Sequence, residues 1–278
     1  MTGTHAPGPP ATLPARLYWA LADAWTVARA NLAHIVRVPE QLLDVTVQPV
    51  MFVLLFAYVF GSAIALPGGG SYREYLMPGI FTQTIAFTAA TTAVGVSTNM
   101  AKGVIDRFRS LPMARSAVLV GETLADLIKG VLGIAIMSGC GLLVGWRARL
   151  GLLDTAGAFG LLLLFGFAMS WVGTFIGLIA RQPEAANAFG FIVLFPLTFV
   201  ANTFVPTQGM PTVLRAVADW NPISATVAAC RQLFGNPGAT AAAWPLQHAV
   251  LASAAYSVLL VALFLPLAVY RYRTATAR

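Results

Sequence analysis

The chain is poor in charge, cysteine and histidine. Lys, Arg, Asp and Glu make up 10% of its 278 residues while 58% are hydrophobic, a balance that no soluble domain of ordinary size needs. Its two cysteines, Cys140 and Cys230, have no CxxC spacing, which argues against a disulfide framework. His5, His34 and His248 are scattered over different segments and indicate no metal site. No GxxxxGK loop followed by Ser or Thr is present, and the Gly68-Gly69-Gly70 run is not followed by a lysine, so nothing here would cradle the phosphates of ATP. Paired aspartates, a serine with a histidine, and HExxH are also missing, which argues against an intramembrane enzyme. The chain is expected to be no enzyme and to bind no cofactor or metal of its own. Its 17 basic residues are spread over short segments instead of one face, so nucleic acid is not an expected partner.

What the chain has instead is six long apolar runs, at about Leu42 to Leu66, Tyr75 to Asn99, Ser116 to Val144, Ala156 to Ala180, Asn187 to Val205 and Leu246 to Tyr270. Each reaches or approaches the ~20 residues that carry a helix across a ~30 Å hydrocarbon layer. Backbone polar groups in lipid must be satisfied within their own segment, and the runs are too long and too continuous for barrel strands. The expected fold is an all-α integral membrane protein with six transmembrane helices and membrane lipid as its solvent. The basic residues are unevenly divided among the connections: eleven fall on the side of the N-terminus, and Arg73, Arg147, Arg149, Arg215 and Arg231 on the other, with Lys129 inside a span. The positive-inside bias places both termini in the cytoplasm.

Residues 1–15, rich in Pro, Gly, Ala and Thr, read as a disordered tail. Over 16–38, Leu17, Tyr18, Leu21, Trp25, Ala28, Leu32 and Ile35 recur at helical spacing, and Asp23, Arg29 and Asn31 interrupt the run. This predicts an amphipathic helix lying along the cytoplasmic leaflet and ending at Pro39, where the six-span domain of 39–278 begins. The cytoplasmic segment 100–115 predicts a short helix with an apolar stripe of Val104, Ile105, Phe108 and Leu111 beside Asp106, Arg107, Arg109 and Arg115, stopped at Pro112. A positive-inside anchor explains the arginines but leaves the apolar stripe without a purpose, and a partner protein would supply one.

Several stretches resemble the type-2 ABC exporter permeases, in particular the daunorubicin-resistance branch. They are Arg107-Phe108-Arg109-Ser110-Leu111-Pro112-Met113-Ala114-Arg115 with Gly121 and Asp126-Leu127, and Pro39 to Asp44 with Gln48-Pro49 and Leu55 to Gly61. Pro183 to Ala186, Phe195-Pro196-Leu197-Thr198-Phe199, Phe204-Val205-Pro206, Met210-Pro211, Asn221-Pro222 and Arg231-Gln232-Leu233 complete the set. The resemblance implies a permease of the bacterial plasma membrane that moves a hydrophobic or amphipathic substrate outward. It also implies a separate ABC ATPase, in two copies, that holds ATP and Mg and docks on Asp106, Arg107, Phe108, Arg109, Leu111 and Pro112, and a second permease copy or a sister chain. Glu184-Ala185-Ala186 with Gly190 matches a short importer pattern, but the connection is too short for an importer's docking helix.

The segment 206–245 is long for a connection and not hydrophilic enough for a free loop. Met210, Val213, Leu214, Val217 and Trp220, then Val227, Cys230, Leu233 and Phe234, fit two short helices that re-enter the membrane from outside before the sixth span. Within the third span, Glu122, Asp126 and Lys129 share one helix face, where Asp126 and Lys129 can pair. A structural ion pair is one reading; a proton relay in a proton-coupled secondary transporter is the alternative. For the substrate path the aromatic candidates are Phe52, Phe56 and Phe60 on the first span, and Phe195 and Phe199 on the fifth. Lipid-facing rings would show the same spacing. Gly141 and Gly145, and Gly173 and Gly177, are spaced for close helix packing.

Overall fold

A computed structural model describes residues 47, 50–60, 66, 69–102, 117–180, 182–238 and 243–275. The helix expected over 16–38, the docking residues Asp106, Arg107, Phe108, Arg109, Leu111 and Pro112, and the side chain of Glu122 lie outside the described residues.

Every regular element among the described residues is helical. Helix α1 (Val50–Val59) passes into a π-helical turn over Leu55–Phe60. It is followed by α2 (Tyr72–Ala101), α3 (Ala117–Val144), α4 (Leu152–Ile179) and α5 (Pro183–Val200). A 3-10 turn at Thr207–Gly209 leads into α6 (Thr212–Asp219), α7 (Pro222–Phe234), α8 (Trp244–Gln247) and α9 (Ala249–Ala275). The five helices α2, α3, α4, α5 and α9 are each long and apolar enough to cross a membrane, which makes the chain an integral membrane protein. Of the first expected crossing, Leu42 to Leu66, the described residues hold the shorter α1.

Two boundaries differ from the expected runs. The fifth helix starts at Pro183 and stops at Val200, several residues earlier at each end. Pro183 stands in the first turn, where its missing N–H costs nothing, and Glu184 there complements the positive end of the helix. The last helix runs on to Ala275, so Arg271 and Arg273 belong to it and not to a tail.

Glycine brings α2 and α4 together. A Cβ at Gly173 would collide with the Ala89 carbonyl, and one at Gly177 would meet Ala93 and Val96. This is the small-residue seam that lets two membrane helices approach at backbone distance. Gly190 of α5 faces Ala90 of α2 in the same way, so that part of the importer-like pattern is a packing contact. Gly145 has a different job from the expected one. It adopts φ 99° at the end of α3, with its N–H on the Leu142 carbonyl (3.3 Å) and the Trp146 N–H on the Gly141 carbonyl (2.8 Å), a Schellman stop.

Helix α7 is the largest departure from a peripheral loop. It packs against α2, α4 and α9, and Ile223, Val227, Cys230 and Phe234 are fully buried. Asn221 caps it, its side-chain oxygen accepting from the Ile223 N–H at 2.9 Å with Pro222 next in line. Its other end closes on Gly235 (φ 67°), where the Asn236 N–H reaches the Arg231 carbonyl at 2.9 Å. Arg231, assigned from sequence to the outer polar connections, is only 2% exposed. It sits on the inward face of α7, and its charge is absorbed by backbone carbonyls.

Candidate functional site

The bundle is firmly tied at the end where α2 begins. Arg231 donates through Nε to the Tyr75 carbonyl (2.9 Å) and through Nη2 to the carbonyls of Asn202 (2.9 Å) and Thr203 (3.1 Å). The hydroxyls of Tyr75 and Tyr72 donate to the carbonyls of Asn202 (3.1 Å) and Phe204 (3.0 Å). Asn221 Nδ2 donates to Leu197 (2.7 Å), one of the carbonyls that the end of α5 leaves without an intrahelical partner. Beside this clamp, Phe81, Trp146, Phe159 and Phe234 meet edge to face, with centroids 5.1 Å apart for Trp146 and Phe234. Trp146 Nε1 donates to Asn236 Oδ1 at 2.7 Å. On the surface of the same end Arg149 grips the buried Glu74 carboxylate at 2.7 Å, and that partner holds the guanidinium pKa above its ordinary value.

Below the clamp lies a cavity of about 380 Å³ between α1, α2, α3 and α5. Its walls differ in chemistry. Phe52 of α1, Phe87 of α2 and Phe191 and Phe195 of α5 present rings, and Met137 of α3 adds a thioether. For polar lining α2 contributes Gln83, Thr84, Thr88 and Thr91, and α3 contributes Asp126 and Lys129. Threonine spacing of four and three residues is what puts one side of α2 into the cavity.

The ion pair belongs to a small network. Lys129 Nζ donates to Asp126 Oδ1 at 3.2 Å. Asp126 Oδ2 accepts from Thr92 of α2 at 2.6 Å and from Ser170 of α4 at 3.5 Å. The carboxylate thus joins three helices while its charge is matched on its own helix, the condition under which an ion survives in a low-dielectric interior.

The five phenylalanines proposed from sequence divide into three groups. Phe52 and Phe195 line the cavity. Phe56 and Phe199 stand behind them in one file of rings: Phe52 stacked on Phe56 (5.9 Å), Phe56 stacked on Phe204 (4.2 Å), Phe204 tilted against Phe199 (5.2 Å) and Phe199 stacked on Phe195 (4.2 Å). Phe60 ends the π-helical turn, and its side chain is outside the described residues. Phe204, which joins the α1 rings to the α5 rings, was not foreseen, nor was Gln83. The polar triplet Thr82-Gln83-Thr84 within an otherwise apolar span was the available signal.

Comparison with known proteins fits this architecture. The sequence profile described as ABC-2 type transporter matches residues 23–234, well over half of the chain. The chain is 36% identical over 259 residues to the daunorubicin resistance ABC transporter permease protein of Streptomyces coeruleorubidus, covering 91% of this chain and 89% of that protein. It is 25% identical over 175 residues to the doxorubicin resistance ABC transporter permease protein DrrB of Mycobacterium tuberculosis, covering 62% of this chain and 61% of that one. A probable doxorubicin resistance permease protein, DrrC, of the same organism is 22% identical over 191 residues, 68% of each chain. A multi-helix membrane protein with this profile and these relatives has one placement: the chain belongs to the ABC-2 type transporter family.

Proposed function

We propose that this bacterial ABC-2 permease carries an amphipathic, ring-bearing drug or antibiotic out of the cell through the cavity between α1, α2, α3 and α5. The chain is the transmembrane subunit of an ABC drug exporter, and its relatives are permeases named for daunorubicin and doxorubicin resistance. The single observation that carries the site is the cavity itself, whose lining combines Phe52 and Phe195 with polar residues that include Lys129. Such mixed lining suits a molecule with a flat apolar body and a polar edge.

Further parts of the reading follow from the sequence. A partner ATPase, in two copies, hydrolyses ATP with Mg. It docks on the cytoplasmic segment 100–115 through Asp106, Arg107, Phe108, Arg109, Leu111 and Pro112, with the 16–38 helix beside it. A second permease copy or a sister chain completes the path. Six crossings leave both termini in the cytoplasm, and α6 and α7 then form the outer, re-entrant segment. Asp126 and Lys129, neutralising each other at 3.2 Å, hold helices together.

The test is uptake of doxorubicin into inverted vesicles from cells that make this chain together with a candidate partner ABC ATPase. Uptake should require ATP hydrolysis and fall several-fold in Phe52→Ala and Phe195→Ala. Phe108→Asp should abolish co-purification of the ATPase while leaving membrane insertion intact. Uptake driven by a proton gradient without ATP would overturn the exporter reading.

A further inference from the structure

We propose that Arg73 and Arg147 form a headgroup site for an anionic phospholipid, built on the last turn of α3 at the end of the bundle where α2 begins. The site lies apart from the cavity and does not depend on what the cavity carries.

The last carbonyls of a helix have no intrahelical partner, and cations are favoured beside them. At the end of α3 two guanidiniums take that place. Arg147 donates through Nη1 to the carbonyls of Leu142 (2.7 Å) and Trp146 (2.8 Å). Arg73, in the first turn of α2, donates through Nη1 to the carbonyl of Val144 (3.3 Å). Two exposed cations from different segments are thus held at one helix end. Both are anchored through Nη1, so Nε and Nη2 of each remain for an outside acceptor.

No carboxylate among the described residues pairs with either arginine. The ion pairs there are Lys129 with Asp126 and Arg149 with Glu74. Arg149 therefore takes up the carboxylate that neighbours Arg73 in the chain. Asp154, the other acid of this stretch, stands in the first turn of α4. Two planar guanidiniums with open edges suit the oxygens of a phosphate.

The flanks decide which phosphate. Leu143, Leu152 and Leu153 are 88%, 87% and 87% exposed, and they bracket Arg147 in the chain. Aliphatic side chains so bare belong among acyl chains and not in water. Tyr58 of α1 is exposed as well, and its ring centroid lies 4.9 Å from the Arg73 guanidinium carbon. A ring and a cation so paired are at home at the membrane boundary, where anionic headgroups draw arginine. A soluble phosphate would use the arginines and leave the leucines bare.

The test is native mass spectrometry of the full-length chain in detergent with equal amounts of phosphatidylglycerol and phosphatidylethanolamine of the same acyl chains. The first lipid bound should be phosphatidylglycerol, preferred by about fivefold or more. Arg73→Gln and Arg147→Gln should each lower its affinity about fivefold, the effect of one arginine at a lipid surface, and together should bring the ratio near one. Arg73→Lys with Arg147→Lys should keep most of the preference. Arg215→Gln removes an equal charge from an exposed arginine bonded elsewhere, to the Thr207 carbonyl, and should change nothing. A ratio unchanged in the double glutamine variant, or a loss as large in Arg215→Gln, overturns the site. Displacement of the lipid by excess inorganic phosphate at constant ionic strength overturns the lipid as its occupant.

Discussion

Arg231 lies over the ring of Tyr75, its guanidinium carbon 3.4 Å from the ring centroid, while its Nε donates to the carbonyl of the same residue. One side chain thus holds another by face and by backbone, and two further donor contacts extend the grip to Asn202 and Thr203.

Replacing Arg231 with methionine leaves three carbonyl acceptors without that donor in a buried place. The expected loss is on the order of 3 kcal/mol, read as a lower thermal midpoint of the purified protein by tryptophan fluorescence. Arg231→Lys should recover only part, because a single ammonium cannot span the fork that a planar guanidinium fills. An unchanged midpoint in both variants would show that the clamp contributes nothing.

The α2 and α4 seam makes a sharper steric prediction. Gly173→Ala places a methyl against the Ala89 backbone, which has no flexible end to yield, whereas Gly160→Ala meets nothing within 4 Å. The first change should destabilise by about 1–3 kcal/mol and reduce the monodisperse fraction on size exclusion. The second should be neutral.

Asp126 and Lys129 are expected to be coupled. In a double-mutant cycle with Asp126→Asn and Lys129→Gln, the interaction energy should fall within roughly 0.5–3 kcal/mol. Asp126→Asn should be the more damaging single change, because Thr92 and Ser170 also bond to that carboxylate. Strict additivity would mean that the two charges are held by their surroundings and not by each other.

Phe204 should matter to transport without touching the ligand. It stacks on Phe56 and meets Phe199 at a tilt but does not line the cavity. Phe204→Ala would leave those rings without their shared neighbour and let Phe52 and Phe195 shift. Doxorubicin uptake should then fall several-fold, while Phe204→Trp, which keeps an aromatic face, should retain more of it. Equal uptake by the two variants would separate the file from the site.

Much of the membrane architecture could be read from the chain, because a helix in lipid must be long, apolar and internally bonded, and those demands leave continuous runs. The small residues at Gly173 and Gly177 and the Asp126 to Lys129 spacing were equally legible, since each is a relation within one helix. What escaped were relations between distant segments. Arg231 looks like an ordinary basic residue of a polar connection until α7 turns it inward. Its one local signal is that it shares a helix face with Val227 and Phe234. Phe204 sits in an irregular stretch, where no periodicity tells which way a ring points.

The clamp has a mechanical consequence. Helix α5 is secured just past its last turn, at Asn202, Thr203 and Phe204, while its first turn at Pro183 has no comparable tether among the described residues. Its 18 residues span about 27 Å. A tilt of about 10° around the fixed end would displace the Pro183 end by roughly 5 Å on that length. Such a tilt has to slide Gly190 across Ala90 of α2, and Phe191 and Phe195 move with it.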